Sequence, residues 1–321
     1  MGTLIGHVGP GFGFFIIGLW HLFNHLKLLA LKGPNYKSLP WFPSNLHRLR
    51  RLELYLIMVG SLFSVAMELF IGPERHQPFD TDGSIPTNHL HNFEHSSISL
   101  TFFVYATFAL AIDRWCNRNI PAQYDVVQFI AALAFGQQLL LFHLHSSDHM
   151  GVEGQYHWLL QLVIFISLST TVLGIAYSES FVIAFTRSLS ILFQGVWLIV
   201  MGVALWTPGL IAKGCFMHEE EGHKVVRCDG KESLHRAKAL VNIQFSWFLI
   251  LLAVFAASFY MFMMTIYGDK YNKVEYSPMD SLSDQEDDVE AQKIGGKSSE
   301  MQCFVSGAGN INNKAIDYME R

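Results

Sequence analysis

The sequence predicts an all-α integral membrane protein, a bundle of about seven transmembrane helices followed by an acidic tail. Of the 321 residues, 51% are apolar and only 15% are charged, whereas soluble domains average about 25% charged residues. Seven apolar runs are each long enough to cross a bilayer, for which a helix needs roughly 20 residues. The charge is uneven, since residues 1–267 carry 16 basic and 16 acidic side chains, and the net charge of −5 belongs to residues 268–321.

The seven runs are long and continuous, without the ten-residue alternation of a membrane barrel strand. Backbone groups in lipid must be satisfied within the segment, so each run is predicted to be a helix. Four hydroxyl residues between Ser167 and Thr171 interrupt the fifth run, but such hydroxyls can bond back to their own helix. The predicted spans are Val8–Leu31, Leu52–Gly72, Asn92–Ile112, Val126–Leu144, Tyr156–Tyr177, Phe181–Trp206 and Ala239–Tyr267.

The distribution of Lys and Arg predicts the orientation of the bundle. Five basic residues lie between Lys32 and Arg51, in the first connection, and no acidic residue offsets them before Glu53. Basic residues near helix ends mark the cytosolic side, so the N-terminus is predicted to lie outside or in a lumen and the C-terminus in the cytosol. The connection 207–238 argues against this, because it is predicted to lie outside and carries six basic residues. Five acidic residues in the same connection partly offset them.

Composition divides the chain into a seven-helix transmembrane domain, residues 1–267, and a disordered cytosolic tail, residues 268–321. The tail is rich in Asp, Ser, Gly and Asn and has few aromatic residues, so it cannot bury enough apolar surface to order itself. It contains candidate sorting and phosphorylation signals, at Tyr271–Val274 and at Ser281 and Ser283, which would engage sorting or signalling partners. The bilayer is the other expected partner. No basic patch with interleaved aromatic residues suggests nucleic acid.

Histidines and carboxylates gather around the predicted outer ends of helices three, four and five. Seven of the fifteen histidines lie between His89 and His157. Three or four converging imidazole or carboxylate donors would bind a transition-metal ion, here zinc or iron, and a haem is the weaker version of the same hypothesis. The candidate metal ligands are His91, His95, His143, His145, His149 and His157, and the candidate supporting carboxylates are Glu68, Glu94, Asp148 and Glu153. Within this set, His95, His143 or His145, and His157 are the preferred ligands.

The same histidines have a structural interpretation. His side chains are common at membrane interfaces, and they can form hydrogen bonds between helices with Ser or Gln, for which Gln161 is available. Three functions therefore stay open: a membrane protein with a metal site, a trafficking, scaffold or receptor-like protein without a metal, and a proton-coupled transporter. The pattern identifies no catalytic residue and leaves open whether the chain is an enzyme.

The remaining polar and small residues have modest interpretations. His21 and His25, four residues apart in the inner half of the first helix, are expected to form structural hydrogen bonds. Glu53 is interpreted as the partner of Arg50 or Arg51. Five glycines are interpreted as close-packing points between helices: Gly13, Gly18, Gly60, Gly195 and Gly202.

Four cysteines occur in the chain, and two of them share one polar connection. Cys215 and Cys228 can form a disulfide if that connection faces an oxidising compartment. The predicted orientation places it outside, where a disulfide is allowed.

Four motifs stand out along the transmembrane part of the chain: Gly6-His-Val-Gly-Pro-Gly11, Asn92-Phe-Glu-His95-Ser-Ser, Phe142-His-Leu-His145 with His157 after an acidic turn, and the segment Phe185–Trp197. Together they resemble the transmembrane protein 45 family, in particular a plant-type member. The resemblance covers residues 1–267. It implies a multi-pass helical protein of the endomembrane system or the plasma membrane, and it implies no established reaction. One family-like position, Arg187, is interpreted as an anchor at the inner interface.

Overall fold

A computed structural model describes residues 4–44, 49–72, 76–116, 122–146, 151–220 and 223–275. Within these ranges, seven helices are long and apolar enough to cross a membrane, which confirms the predicted all-α membrane class. The helices are α1 (Leu4–Lys32), α2 (Leu52–Ala66), α3 (Leu90–Trp115), α4 (Ala122–Ser146), α5 (Val152–Ala176), α6 (Phe181–Trp206) and α7 (Lys231–Glu275). The sidedness of the two termini stays a prediction.

The predicted and observed bounds agree at both ends of α6 and differ most for α7. This last helix begins eight residues before the predicted span and continues eight residues past it, so residues 268–275 belong to the helix and not to the tail. Hydropathy detects the part of a helix that crosses lipid. Lys, Glu, Leu and Ala in the N-terminal flank, residues 231–238, are good helix formers and extend the helix before the apolar span. The candidate phosphorylation sites of the tail lie outside the described residues.

Six helices pack in the order α1, α6, α5, α4, α3, α2, each against the next, and α7 lies against α1 and α5. The series does not close tightly, since α1 and α2 touch at few points. Of the seven helices, α6 is the most buried, and α2 and α7 are the least buried. The centre of the bundle is therefore α6, and a gap lies between the first and last members of the series.

Glycines on facing turns bring α1 and α6 into backbone contact. A Cβ on Gly18 would collide with the backbone of Leu192, and a Cβ on Gly195 would collide with the backbone of Phe15. On Gly202 it would lie 3.0 Å from the Cβ of His7. Small residues at such contacts are the usual means of close helix packing in membranes, so the prediction of close packing is confirmed for these glycines.

Hydroxyl groups are satisfied within or between helices. In α5, the Thr171 hydroxyl donates to the Ser167 backbone oxygen at 2.6 Å, as the sequence predicted for this interrupted span. Between α2 and α3, the hydroxyls of Ser64 and Ser99 lie 2.8 Å apart. These bonds allow polar side chains to lie within otherwise apolar helices.

The connection between α6 and α7 forms a two-stranded antiparallel hairpin, β1 (Cys215–Glu220) and β2 (His223–Cys228). Cys215 faces Cys228 in its register, and their sulfur atoms form a disulfide with a length of 2.00 Å. Val226 of the second strand is buried in the core cluster formed by α5, α6 and α7. The hairpin is therefore part of the folded body, although the sequence analysis assigned no strand to this connection.

Candidate functional site

The histidines of the predicted metal site lie near one end of the bundle, where the rings of His95 and His157 both contact Phe142. His143 is exposed near the end of α4, and its Nδ1 lies 3.1 Å from Oε1 of Gln161. His157 is buried near the start of α5, and its Nδ1 lies 3.0 Å from the backbone oxygen of Glu153. His95 is half-buried on α3. The alternative interpretation, in which these histidines form hydrogen bonds between helices, therefore holds for His143.

No three His, Cys, Asp or Glu side chains within the described part of the chain form a group that could hold a metal ion. His91 and Glu94 are half-buried at the start of α3 and join no such group. Asp148 and His149 lie outside the described residues, as does the side chain of His145. The metal site thus stays a prediction that needs ligands beyond the described ones.

His7, which was not among the predicted site residues, lies at the same end of the bundle. His7 is buried on α1, and its ring stacks on that of Trp206 with 4.6 Å between centroids. The ring of His157 lies edge-on to it at 5.8 Å. No local spacing connects residue 7 with α5 or α6, so the motif Gly6–Gly11 was the available signal.

Glu68 also lies at this end, on a π-helical turn, Met67–Ile71, that follows α2. Its side chain is buried, and its Oε2 accepts a hydrogen bond of 3.2 Å from the amide of Asn92 on α3. A π turn has poorer backbone geometry than an α turn and recurs at functional sites. It places a carboxylate inside the bundle.

A second polar cluster lies at the other end of the bundle and is called here the Glu53 cluster. It consists of Glu53 at the start of α2, Trp20 and His21 on α1, and the backbone of Phe42. Glu53 accepts hydrogen bonds from Nε1 of Trp20 at 2.9 Å and from the backbone N–H of Phe42 at 2.8 Å, and Nε2 of His21 lies 2.7 Å from it. Three such contacts stabilise and orient a buried carboxylate.

The interpretation of Glu53 as a partner of Arg50 or Arg51 was wrong. Arg51 pairs instead with Asp113 on α3, with 2.6 Å between Nε and Oδ2. Residues two positions apart at a helix start do not share a face. Glu53 therefore faces α1, while Arg51 faces α3.

Arg187 on α6 lies beside the Glu53 cluster and is only 4% exposed. Its Nη2 lies 3.1 Å from the backbone oxygen of Leu39 and 3.4 Å from Nε2 of His25. The hydroxyl of Tyr36 lies 2.8 Å from Nδ1 of the same histidine, and burial raises the pKa of this phenol above its ordinary value, so it stays neutral. The interpretation of Arg187 as an interface anchor was wrong, because the segment 36–42 packs over it.

Both polar ends line one cavity of about 620 Å³ between α1, α2, α3, α4 and α6, the α1–α2 cavity. Its polar lining includes His7, Glu68 and His95 at one end and His21, Glu53 and Arg187 at the other. His7 and His21 are fourteen residues apart on α1, which corresponds to about 21 Å at 1.5 Å per residue. The walls between them are mostly apolar. Small-molecule sites in proteins have volumes of about 300–1,000 Å³.

Two buried polar atoms on the cavity lining have no hydrogen-bond partner among the described residues. They are Nδ1 of His21 and Oε1 of Gln138. Buried polar atoms are nearly always paired with protein, water or ligand. The lining therefore offers hydrogen-bonding capacity that the described protein atoms do not use.

The cavity opens sideways between α1 and α2. Ile5 and Ile16 on α1, and Leu56 and Phe63 on α2, line it and are also exposed on the apolar surface of the bundle. A molecule dissolved in the bilayer can therefore reach the cavity without crossing the polar ends.

Glycines widen the cavity beside this opening. Gly13 and Gly60 line it, and a Cβ on either would meet nothing within 4 Å. The prediction that these two glycines are packing points was wrong. They face open space because the helices that carry them diverge.

These features define the chain as a multi-pass membrane protein with an internal cavity. The model of a family described as "Family of unknown function (DUF716)" matches residues 124–261. The matched range runs from α4 into α7 and is consistent with the resemblance to the transmembrane protein 45 family. It excludes α1, α2 and α3, which form much of the cavity wall, so the function has to be argued from geometry.

Proposed function

We propose that this membrane protein binds an amphiphilic molecule that enters the α1–α2 cavity sideways from the bilayer. The observation that carries the proposal is the cavity itself, with its volume of about 620 Å³, mostly apolar walls and polar groups at both ends. The opening between α1 and α2 supports entry from lipid. Buried ionisable groups within membrane segments are expensive, so a functional role is the default hypothesis for Glu53, Glu68 and Arg187.

The polar ends, and not the apolar walls, would give the site its selectivity. An apolar chain gains little by leaving lipid for an apolar cavity, since lipid tails are as apolar as Leu. A head group gains more, because hydrogen bonds and charge interactions are strong where water is scarce. The ligand would therefore be a molecule whose polar head is recognised inside the bundle and whose chain fills the space between the two ends.

Photolabelling of the full-length protein in lipid nanodiscs tests the proposal. The probe is a long-chain fatty alcohol or fatty acid with a diazirine in its chain, and labelled residues are located by peptide mass spectrometry. We expect cavity-lining segments of α1, α2 and α3 to be labelled more strongly than α7, whose exposed Trp247 reports contact with bulk lipid. Labelling of α7 and the cavity segments to the same extent would contradict the proposal.

Cavity-filling variants provide a matched control. Gly13→Leu and Gly60→Leu each add a side chain where nothing lies within 4 Å, inside the cavity. Gly268→Leu makes the same change on α7, also with nothing within 4 Å and away from the cavity. The first two variants should lose most of the cavity labelling, and Gly268→Leu should retain it.

Proton-coupled transport is a second candidate, because ionisable groups line both ends of one cavity. Carriers use buried carboxylates and histidines as proton relays, and Glu68 and Glu53 are placed for such a role. Proteoliposomes containing a pH-sensitive dye would detect proton movement when the fatty-acid probe is added. Proton movement that is equal in the parent, Glu68→Gln and Glu53→Gln would rule out this role for the two carboxylates.

A further inference from the structure

We infer that the Glu53 end of the cavity receives the anionic head group, a carboxylate or a phosphate, of a single-chain amphiphile. This inference rests on the proposed binding in the α1–α2 cavity and adds the chemistry of its ligand. It is carried by a buried guanidinium that lines the cavity and has no carboxylate partner among the described residues.

Arg187 is the charged group in question. It is nearly inaccessible to solvent and lines the cavity. The two close contacts between a basic and an acidic side chain in the described residues, His21 with Glu53 and Arg51 with Asp113, do not include it. Its described hydrogen-bonding contacts are to a backbone oxygen, that of Leu39, and to an imidazole nitrogen of His25. A buried cation with neutral partners alone is costly.

Glu53 lies at the same end, but its carboxylate already has three other hydrogen-bonding contacts. It has contacts with the Trp20 indole, the His21 imidazole and a backbone N–H. Its carboxylate moderates the field around Arg187 without approaching it as an ion-pair partner. An anionic head group would therefore give the guanidinium the direct carboxylate or phosphate contact that Glu53 does not make.

A second hydrogen-bond donor lies near the guanidinium. A Cβ built on Gly174 of α5 would lie 3.0 Å from Nε2 of Gln128 and 3.4 Å from Nη1 of Arg187, so these two groups lie close to each other. Gln128 also lines the cavity, and its amide donates one N–H to the Thr171 backbone oxygen at 3.2 Å, which leaves its second N–H for a ligand. A planar guanidinium with adjacent N–H donors matches the oxygens of a carboxylate or phosphate.

The dimensions favour a single chain. The cavity of about 620 Å³ has the size of a site for a small molecule, and the distance from His21 to His7 along α1 is about 21 Å. With its head at Arg187, one extended chain would run toward the opposite end of the cavity, which contains His7 and is called here the His7 end, or leave through the lateral opening. Arg187 lies six residues after Phe181, the first residue of α6, which corresponds to about 9 Å along the helix. A head group bound at Arg187 would lie at about that distance from this end of α6.

Three probes of equal chain length test the charge preference in the wild-type protein. They carry the same diazirine and differ in the head group, which is a carboxylic acid, an alcohol or a primary amine. At pH 8 in nanodiscs the acid is ionised and the amine is protonated. Labelling of the cavity segments is measured relative to labelling of α7, so differences in partition into lipid cancel.

We expect the acid to label the cavity at least about tenfold more efficiently than the alcohol, in line with a charge-assisted hydrogen bond, and the amine to label it less than the alcohol. Equal labelling by acid and alcohol, or preferred labelling by the amine, would overturn the anionic head group while leaving amphiphile binding intact. Absence of cavity labelling by all three probes would overturn the proposed function as well.

Competition separates a lipid-borne anion from a free one. An unlabelled alkyl phosphate should displace the acid probe, whereas millimolar inorganic phosphate or acetate should not. Displacement by inorganic phosphate alone would assign the site to a free anion and overturn the amphiphile.

Two variants then connect the preference with the guanidinium. Arg187→Gln should abolish the advantage of the acid over the alcohol. Arg187→Lys keeps the charge but loses the planar fork, and should retain a reduced advantage; it decides the question if Arg187→Gln does not give a monodisperse protein. If both variants give monodisperse protein, an acid preference that is undiminished in both would contradict the assignment to Arg187. If only Arg187→Lys does, an undiminished preference in that variant alone would contradict it.

Discussion

Helix α1 meets its neighbours in two opposite ways on its two sides. Toward α6, Gly18 and Gly195 let the two backbones touch, with no room for a methyl group. Toward α2, Gly13 and Gly60 face space in which a methyl group would touch nothing. The same residue type thus creates a tight seam on one side of the helix and an open cavity on the other.

Helical geometry explains how a stretch of ten residues in α1 can pack closely against α6 on one face and border the open cavity on another. Gly11 and Gly18 are seven residues apart, almost two turns, and so lie on one face of α1. Gly9 and Gly13 are four residues apart on a different face, since positions two apart in a helix do not share a side. A glycine in a membrane helix therefore indicates close packing only when its face is known to contact another helix.

The largest difference between the two sides should appear when alanine replaces glycine. Gly18→Ala forces the α1 and α6 backbones apart, and should destabilise the protein by roughly 1–3 kcal/mol or more, as overpacking does. Gly13→Ala adds a better helix former in open space and should be neutral or stabilising by up to about 1 kcal/mol. Thermal unfolding of both variants in the same detergent, followed by helical circular dichroism, measures the contrast. Equal melting temperatures would show that the seam is looser than described.

Carboxylates at the two ends of the cavity should differ next. Glu53→Gln removes the charge of a carboxylate that is contacted by three donors, and it turns an amide N–H₂ group toward one of those donors. The free energy of unfolding is therefore expected to fall by roughly 1–3 kcal/mol. Glu68→Gln changes a carboxylate whose described hydrogen bond comes from Asn92 alone, and should cost less. The same thermal assay ranks the two variants. A larger loss for Glu68→Gln would mean that the His7 end holds its carboxylate more firmly than the Glu53 end.

Two histidines near the His7 end should also differ from each other, and they test the predicted metal. His143→Ala removes an exposed side chain and should change stability by no more than about 0.5 kcal/mol, whereas His157→Ala removes a buried one and should cost roughly 1–3 kcal/mol. Elemental analysis of the purified parent and of a variant with His143, His145 and His157 all changed to Ala measures bound metal. The prediction of a zinc or iron site requires about one equivalent in the parent and loss in the variant. Substoichiometric metal in the parent would contradict the prediction of a metal site.

The transmembrane helices could be predicted from sequence because lipid imposes a local requirement. Each span must be long and apolar by itself, so α6 was recognised with both of its ends from hydropathy alone. The overhang of α7 was missed for the same reason, since residues outside the lipid leave no hydropathy signal.

The cavity could not be predicted, because it depends on which faces of the helices meet. His21 and Glu53 are 32 residues apart, and each has an ordinary explanation within its own segment. Arg187 was interpreted from its distance to a helix end, whereas its burial depends on how the segment 36–42 folds over it. The metal prediction considered helix ends at a common depth, but depth alone does not fix the direction of a ring, as His143 and His157 illustrate.

The pairing of α2 with α3 has a mechanical consequence. The Arg51–Asp113 ion pair and the Ser64–Ser99 hydrogen bond join these two helices at different depths, just as the glycine seam joins α1 to α6. We therefore expect a wider entrance to require α2 and α3 to move together, away from α1. Such a movement would strain the contacts between α3 and α4, which lie on the side of the pair away from the entrance.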